Sequence, residues 1–196
     1  MKYCLFMMIG YVVLYSVVWL HEIGHSIFDY RYGVKDNWIR VNVKPYIFFS
    51  TPGKLNNEVW DSLTPKQYTV IAYAGIGANA LCAAVASFFI VINPFNSVYI
   101  RLALWMFLSL HIGEIFSYLF IGSIYLVSDM AIIAQVNPKL KIPNIIIGFL
   151  FTVLYIVILY SIPSEIKVFV IIWNIITVSS MIMGRIIFSI KSKKRG

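Results

Sequence analysis

Five long runs of apolar residues, separated by shorter polar stretches, dominate the chain. Each run approaches or exceeds the roughly 20 residues that an α-helix needs to cross the hydrocarbon core of a bilayer. The runs cover residues 3–28, 68–92, 97–122, 144–162 and 166–190. This pattern predicts an all-α polytopic membrane protein with about five transmembrane helices, in which residues 1–196 form a single membrane domain.

The polar segment at 29–66 differs from the rest of the chain in its periodicity. Near its middle, apolar and polar residues alternate one by one in the order Ile39, Arg40, Val41, Asn42, Val43, Lys44. A period of two predicts a short β-strand over 38–44, and the proline and glycine positions at 45 and 51–53 suit an edge strand or hairpin. Such a strand either caps the helix bundle or accepts an extended peptide by strand addition.

The composition agrees with a membrane protein. The chain of 196 residues is 60% hydrophobic with a mean hydropathy of +0.83, and 12% of it is charged, which is about half the share found in soluble domains. A soluble core of this size could not enclose so much apolar surface, and the composition also excludes a disordered chain or a nucleic-acid-binding arm. We therefore expect the lipid bilayer, and no nucleic acid, among its partners.

The positive charges predict an orientation. Sixteen Lys and Arg residues stand against eight Asp and Glu residues, a formal net charge of +8. If the five spans alternate in direction, thirteen of the sixteen positive charges fall on the side of the basic C-terminal tail. Because positively charged loops stay in the cytoplasm, this distribution predicts an N-terminus outside and a C-terminus in the cytoplasm.

The motif HEIGH at the end of the first apolar run is the main candidate for chemistry. In a helix, His21 and His25 lie at i and i+4 on one face, a spacing at which two imidazoles can bind one Zn²⁺ ion. Glu22 stands beside them, where it can take a proton from zinc-bound water. His21 lies about 27 Å along a helix that runs from outside to inside, so we expect the site near the cytoplasmic face.

A hydrolytic zinc site usually has a third protein ligand and leaves the fourth position to water. The candidates are Asp129, Glu114 and His111. Asp129 follows the third apolar run, which ends at the same membrane face as the first. A straight helix over 97–129 would be about 48 Å long, too long for one crossing. We therefore expect the backbone to unwind near Gly122 and Ser123 and to bend Asp129 back towards the histidines.

Other polar residues inside the apolar runs are candidate neighbours of this site. His111 and Glu114 lie at i and i+3 on one helical face. We favour a mutually satisfied buried pair, with support of the metal ligands or ligation by the glutamate as alternatives. Asn79 follows Gly75 and Gly77 in the second run. Close helix packing explains the glycines, and the amide of Asn79 needs a buried partner or holds a substrate backbone.

With these motifs the chain resembles the site-2 proteases, a family of intramembrane zinc metalloproteases. HEIGH matches the family's H-E-x-G-H form, and AGIGAN resembles its A-G-P-x-A-N motif with Ile76 in place of the proline. Asp129 falls where the family's third ligand lies. Met130 replaces the glycine that follows this aspartate in the family, and Ile121 replaces an upstream asparagine. The similarity covers about residues 10–135.

The resemblance implies a zinc metalloendopeptidase with one Zn²⁺ ion per chain, held by His21, His25 and Asp129, with Glu22 as catalytic base. It also implies that Asn79 lies close to the site and that the segment after the first span engages substrate. The substrates would be membrane-spanning or membrane-adjacent proteins or peptides. We expect a minimal member of the family, without an inserted PDZ-like domain, in a prokaryotic cell membrane.

The alternative is a non-proteolytic membrane protein in which the same residues hold a structural or regulatory zinc ion. A structural site has four protein ligands and no open position, so His111 or Glu114 would join the other three residues.

Overall fold

The computed structural model describes residues 2–45, 50–92 and 95–193, and its regular structure is helical. A π-helix (Ser117–Gly122) continues the fourth helix, and a 3₁₀ turn (Pro138–Leu140) precedes the seventh. The α-helices are α1 (Lys2–Arg31), α2 (Asn57–Asp61), α3 (Pro65–Ile92), α4 (Val98–Phe116), α5 (Ser123–Tyr125), α6 (Asp129–Val136), α7 (Lys141–Ser161) and α8 (Ser164–Lys193).

Among the residues that the structure describes, five helical segments are long and apolar enough to cross a membrane, which confirms the prediction from the apolar runs. They are Lys2–Arg31, Pro65–Ile92, Val98–Tyr125, Pro138–Ser161 and Ser164–Gly184. Local sequence explains where α3 begins. The backbone N–H of Thr64 donates to the side chain of Gln67 at 2.8 Å, and the N–H of Gln67 donates to the hydroxyl of Thr64 at 3.3 Å. This reciprocal cap satisfies two N–H groups that the helix itself leaves unpaired.

The span that contains α4 lies at the centre of the bundle. In its apolar window 67% of the residues are buried, against 17–28% in the other four spans. Ile112 and Ile115 pack in a hydrophobic cluster with α3 and α7, while Leu102 and Met106 pack in a second cluster with α1 and α8. Helices α1, α3 and α4 contact one another pairwise. Side chains from these three helices can therefore meet in one buried site.

The central span breaks before it reaches Asp129, as predicted. The backbone passes from α4 through the π-helix into the short α5 and then reverses at Leu126 and Ser128, each with φ of 54°. Such positive φ values are costly for residues with a side chain and mark a tight change of direction. The reversal lies a few residues after Gly122 and Ser123, where the sequence predicted it, and α6 begins at Asp129.

Helix α7 packs directly on the backbone of the π-helix. A Cβ atom on Gly148 would lie 2.7 Å from the carbonyl carbon of Leu119 and 2.8 Å from the Cα atom of Phe120. Only glycine allows this approach. Irregular backbone at membrane depth is tolerated where protein covers it, and α7 provides that cover.

The predicted strand over 38–44 is wrong: residues 32–45 and 50–56 contain no strand. Within these two stretches a single antiparallel bridge joins Asn42 and Thr51, with N–H···O distances of 3.0 and 3.2 Å. The loop also folds back along α1, because the hydroxyl of Tyr11 donates to the carbonyl of Pro45 at 2.6 Å and that of Tyr15 lies 3.4 Å from the carbonyl of Val43. The carbonyl groups of Val43 and Pro45 thus accept hydrogen bonds from side chains, and no continuous ladder of backbone hydrogen bonds forms in the described part of the loop.

Lys35 anchors this loop to α1. Its buried ammonium group donates to the hydroxyl of Ser26 at 2.5 Å, to the carbonyl of Arg40 at 2.6 Å and to the carbonyl of Pro52. Burial lowers the pKa of Lys35 below its ordinary value, and the carboxylate of Asp29 opposes that shift. One cation thus joins both arms of the loop to the helix that carries the HEIGH motif.

Candidate metal centre

The two histidines of the motif lie one turn apart on α1 and are both buried, at 3% and 5% exposure. Their Nε2 atoms are 3.1 Å apart, and their rings meet at an interplanar angle of 79°. Hydrophobic residues upstream on α1, such as Val13 and Val17, pack into the core. Because the i, i+4 spacing repeats this face of the helix, both imidazoles point into the bundle.

A backbone carbonyl on α3 orients the second histidine. The Nδ1 atom of His25 lies 2.7 Å from the carbonyl oxygen of Ile71. A carbonyl oxygen only accepts hydrogen bonds, so the Nδ1 atom of His25 carries a proton. In the neutral ring the Nε2 atom then keeps its lone pair for a metal ion.

Asp129 completes a group of three metal-ligating side chains. Its Oδ2 atom lies 3.4 Å from the Nε2 atom of His25 and 3.8 Å from that of His21. The three ligand atoms lie within 4.8 Å of one another, and the described residues contain one such group. Bonds of about 2.1 Å in a tetrahedral zinc site put ligand atoms about 3.4 Å apart. The observed separations of 3.1, 3.4 and 3.8 Å therefore fit one such ion.

Gly75 makes room for the two imidazoles. A Cβ atom at this position would overlap the Nε2 atom of His25 and lie 2.6 Å from the Cε1 atom of His21. At Gly77, in contrast, an added methyl group would have no described neighbour within 4 Å. The sequence attributed both glycines to helix packing. The structure supports this at Gly75, whose close neighbours are side chains of α1. It gives the same role to Gly24 of α1, where a Cβ would lie 2.6 Å from the carbonyl oxygen of Ala74.

Glu22 is buried beside these residues with 6% exposure. It interacts electrostatically with His25 and Asp129, and more weakly with Glu114 and Asp29. It is not one of the three residues whose ligand atoms cluster. A carboxylate that adjoins a metal site without ligating it is suited to proton transfer.

His111 hydrogen-bonds to Asn79 and not to Glu114, the partner that we favoured from the sequence. The Nδ1 atom of His111 lies 2.9 Å from the Oδ1 atom of Asn79, and the Nδ2 atom of Asn79 lies 3.0 Å from the Nδ1 atom of His21. The predicted pair of His111 with Glu114 is therefore not formed: the Nδ1 atom of His111 is bonded to Asn79, and its Nε2 atom has no hydrogen-bond partner among the described residues. Glu114 is buried on the same helix, at 7% exposure.

Three further residues near the site were not anticipated. The ring of Tyr118, on the π-helix, stacks on His21 with a centroid distance of 4.6 Å and an interplanar angle of 18°. Asp29 is fully buried, and neither of its carboxylate oxygens has a hydrogen-bond partner among the described residues. Its position four residues after His25 was a usable signal, since i and i+4 share a helical face. No sequence pattern marks the carbonyl of Ile71.

The chain matches a known protein family. A family model described as Peptidase family M50 matches residues 9–194 of the chain. No curated protein and no solved structure matches the chain. The matched range contains all three clustered residues and Glu22.

Proposed function

The chain belongs to peptidase family M50, the site-2 protease family, and on this basis we propose that it is a zinc metalloendopeptidase that cleaves membrane-spanning or membrane-adjacent substrates. It is an integral membrane protein, with five apolar helices long enough to span a bilayer in the part of the chain that the structure describes. The observation that carries the proposal is the convergence of His21, His25 and Asp129 from two separate parts of the chain.

The donor set favours a hydrolytic zinc site over a closed structural one. Two imidazole nitrogens and one carboxylate oxygen are typical ligands of catalytic zinc, which keeps its fourth position open. His111 and Glu114 do not belong to the group within the described part of the chain. The Nδ1 atom of His111 is instead occupied by Asn79.

Glu22 is the proposed catalytic base. A zinc ion held by the three ligands would polarise the scissile carbonyl and lower the pKa of water, which makes a nucleophile available at neutral pH. Glu22 accepts the proton as water attacks the carbonyl carbon. The same carboxyl group then delivers this proton to the leaving amine nitrogen as the C–N bond breaks. Its burial in a site with little exposed surface keeps bulk water from competing for that proton.

Substrate contact is proposed for the loop that Lys35 anchors. The loop bonds to Ser26, one residue after His25, so it lies next to the proposed site. A helical substrate has to unwind before cleavage because its amides are otherwise bonded internally. We further propose that the N-terminus lies outside and the site near the cytoplasmic face of a prokaryotic cell membrane, as the distribution of positive charge predicts.

The experiment compares wild type, Glu22→Gln and the control Glu58→Gln, whose side chain is exposed on α2. Each purified protein is analysed for zinc and reconstituted with a library of single-span peptides, and cleavage is followed by mass spectrometry. Wild type and control should contain one zinc ion per chain and produce cleavage fragments. Glu22→Gln should keep its zinc and lose activity by about 10²–10⁴-fold, the range of general base catalysis. Undiminished cleavage by Glu22→Gln would refute the mechanism, and zinc without cleavage in all three proteins would support a structural site.

A further inference from the structure

We infer that His111 is a positioning residue that acts through Asn79 to determine which ring nitrogen of His21 is available to a metal ion. The inference rests on the proposed zinc site but concerns residues outside it. Asn79 and His111 are both fully buried, on α3 and α4, and neither belongs to the group of three ligands. Asn79 lies between the two histidines and contacts the Nδ1 atom of each.

The coupling follows from the chemistry of one amide group. The side chain of Asn79 has an oxygen that accepts and a nitrogen that donates, and each faces one Nδ1 atom. The histidine beside the oxygen must carry its proton on Nδ1, and the histidine beside the nitrogen must have a bare Nδ1. Neutral His21 and His111 are therefore held in opposite tautomers, whichever way round the amide lies.

With the amide as found in the structure, the hydrogen bonds form one directional chain. His111 donates from Nδ1 to Asn79, and Asn79 donates from Nδ2 to the Nδ1 atom of His21. The proton of His21 then resides on Nε2, which lies 3.1 Å from the Nε2 atom of His25. His25 in turn donates from Nδ1 to Ile71. Each donating nitrogen in this chain faces an acceptor.

Zinc binding requires the opposite arrangement at His21. To ligate through Nε2, the neutral ring must carry its proton on Nδ1, and the amide oxygen of Asn79 must face it. The amide nitrogen then faces His111, whose proton moves from Nδ1 to Nε2. Each ring keeps one proton throughout, so no charge changes. The Nε2 atom of His111 makes no hydrogen bond to a described residue, and this exchange breaks no other such contact.

The tautomers can be observed directly because the chain contains only three histidines. Protein labelled with ¹⁵N-histidine in detergent micelles is studied by long-range ¹H–¹⁵N correlation NMR, with and without one equivalent of Zn²⁺ at constant pH. We expect His111 to carry its proton on Nδ1 without zinc and on Nε2 with zinc. Zinc binding without a change at His111 would overturn the inference. So would protons on Nδ1 of both His21 and His111 in the metal-free protein.

A variant separates this inference from the proposed function. Asn79→Asp presents two acceptor oxygens, so both histidines can donate from Nδ1 at once. His111 should then keep its proton on Nδ1 with and without zinc, while zinc still binds. A zinc-dependent tautomer change at His111 in this variant would also overturn the coupling. Wild-type protein that binds no zinc but holds the two rings in opposite tautomers would contradict the proposed function alone.

A second measurement tests the effect on affinity. Asn79→Ala removes the hydrogen bond to His21, and loss of such an outer partner typically weakens metal binding 10–100-fold. The matched control is Asn174→Ala, which removes a buried amide that bonds Ser109 and Tyr155 away from the three ligands. Zinc affinity, measured by competition with a chromogenic chelator, should fall in the first variant and not in the second. Equal affinities in the two variants would count against the positioning role.

Discussion

A Cβ atom on Gly75 would lie 2.6 Å from the Cε1 atom of His21, so only glycine at this position of α3 leaves space for the metal-binding face of α1. The added methyl group of Gly75→Ala would displace one imidazole or push the two helices apart. We expect zinc affinity to fall about 100-fold or more, beyond the usual effect of losing an outer partner. Competition with a chelator measures this change.

Gly77→Ala is the matched control for that substitution. It adds the same methyl group to the same helix, at a position with no described neighbour within 4 Å. Alanine also favours the helix over glycine by up to about 1 kcal/mol. Zinc affinity should be unchanged in Gly77→Ala. If both variants bound zinc equally well, Gly75 would not be the residue that makes room for the site.

Zinc should stabilise the folded protein through Asp129. A ligand at 100 times its Kd adds about 2.7 kcal/mol to the free energy of unfolding when it binds only the folded state. Removal of zinc with a chelator should therefore lower the Tm of wild type, as followed by intrinsic fluorescence. Asp129→Ala should show a smaller shift or none. Asp61→Ala, which removes an exposed carboxylate at the end of α2, should respond like wild type. An identical shift in both variants would argue against Asp129 as a ligand.

Gly148→Ala should lower the stability of the protein and weaken zinc binding, although Gly148 is not one of the proposed ligands. Its Cβ atom would meet the backbone at Leu119 and Phe120, which cannot move aside as a side chain can. Overpacking of this kind costs about 1–3 kcal/mol of stability. Since the π-helix leads through the reversal to Asp129, we also expect weaker zinc binding. Gly184→Ala on α8, with no described neighbour within 4 Å, is the control. If Gly148→Ala left the stability unchanged, α7 would be able to shift away from the π-helix without loss of free energy of unfolding.

Lys35→Met removes the ammonium group and keeps an unbranched side chain only one atom shorter, so it should detach the loop from α1. Hydrogen bonds to charged groups contribute about 1.5–3 kcal/mol each, so the loss of three should raise local opening at least about tenfold. Hydrogen–deuterium exchange of the mutually bonded Asn42 and Thr51 amides measures this opening. Lys54→Met, at an exposed position, should exchange as wild type does. Equal exchange in both variants would mean that the single bridge holds the loop without Lys35.

The features of this protein that depend on local pattern are predictable from its sequence. The five spans follow from the lengths of the apolar runs, because hydropathy and helical rise are properties of each segment alone. The approach of His21 to His25 follows from the i, i+4 spacing within one helix. The break before Asp129 followed from length, since an unbroken helix would have exceeded the bilayer.

The groups that surround the two imidazoles depend instead on how the helices pack. The carbonyl of Ile71 and the amide of Asn79 come from another helix, and His111 meets Asn79 rather than its own neighbour Glu114. The loop was mispredicted for the same reason. Its alternating pattern suggested a strand, but a strand forms only where a partner supplies a ladder, and here the side chains of Lys35 and Tyr11 take the carbonyl groups instead. Contacts between distant segments depend on how helices pack, and no local periodicity records that packing.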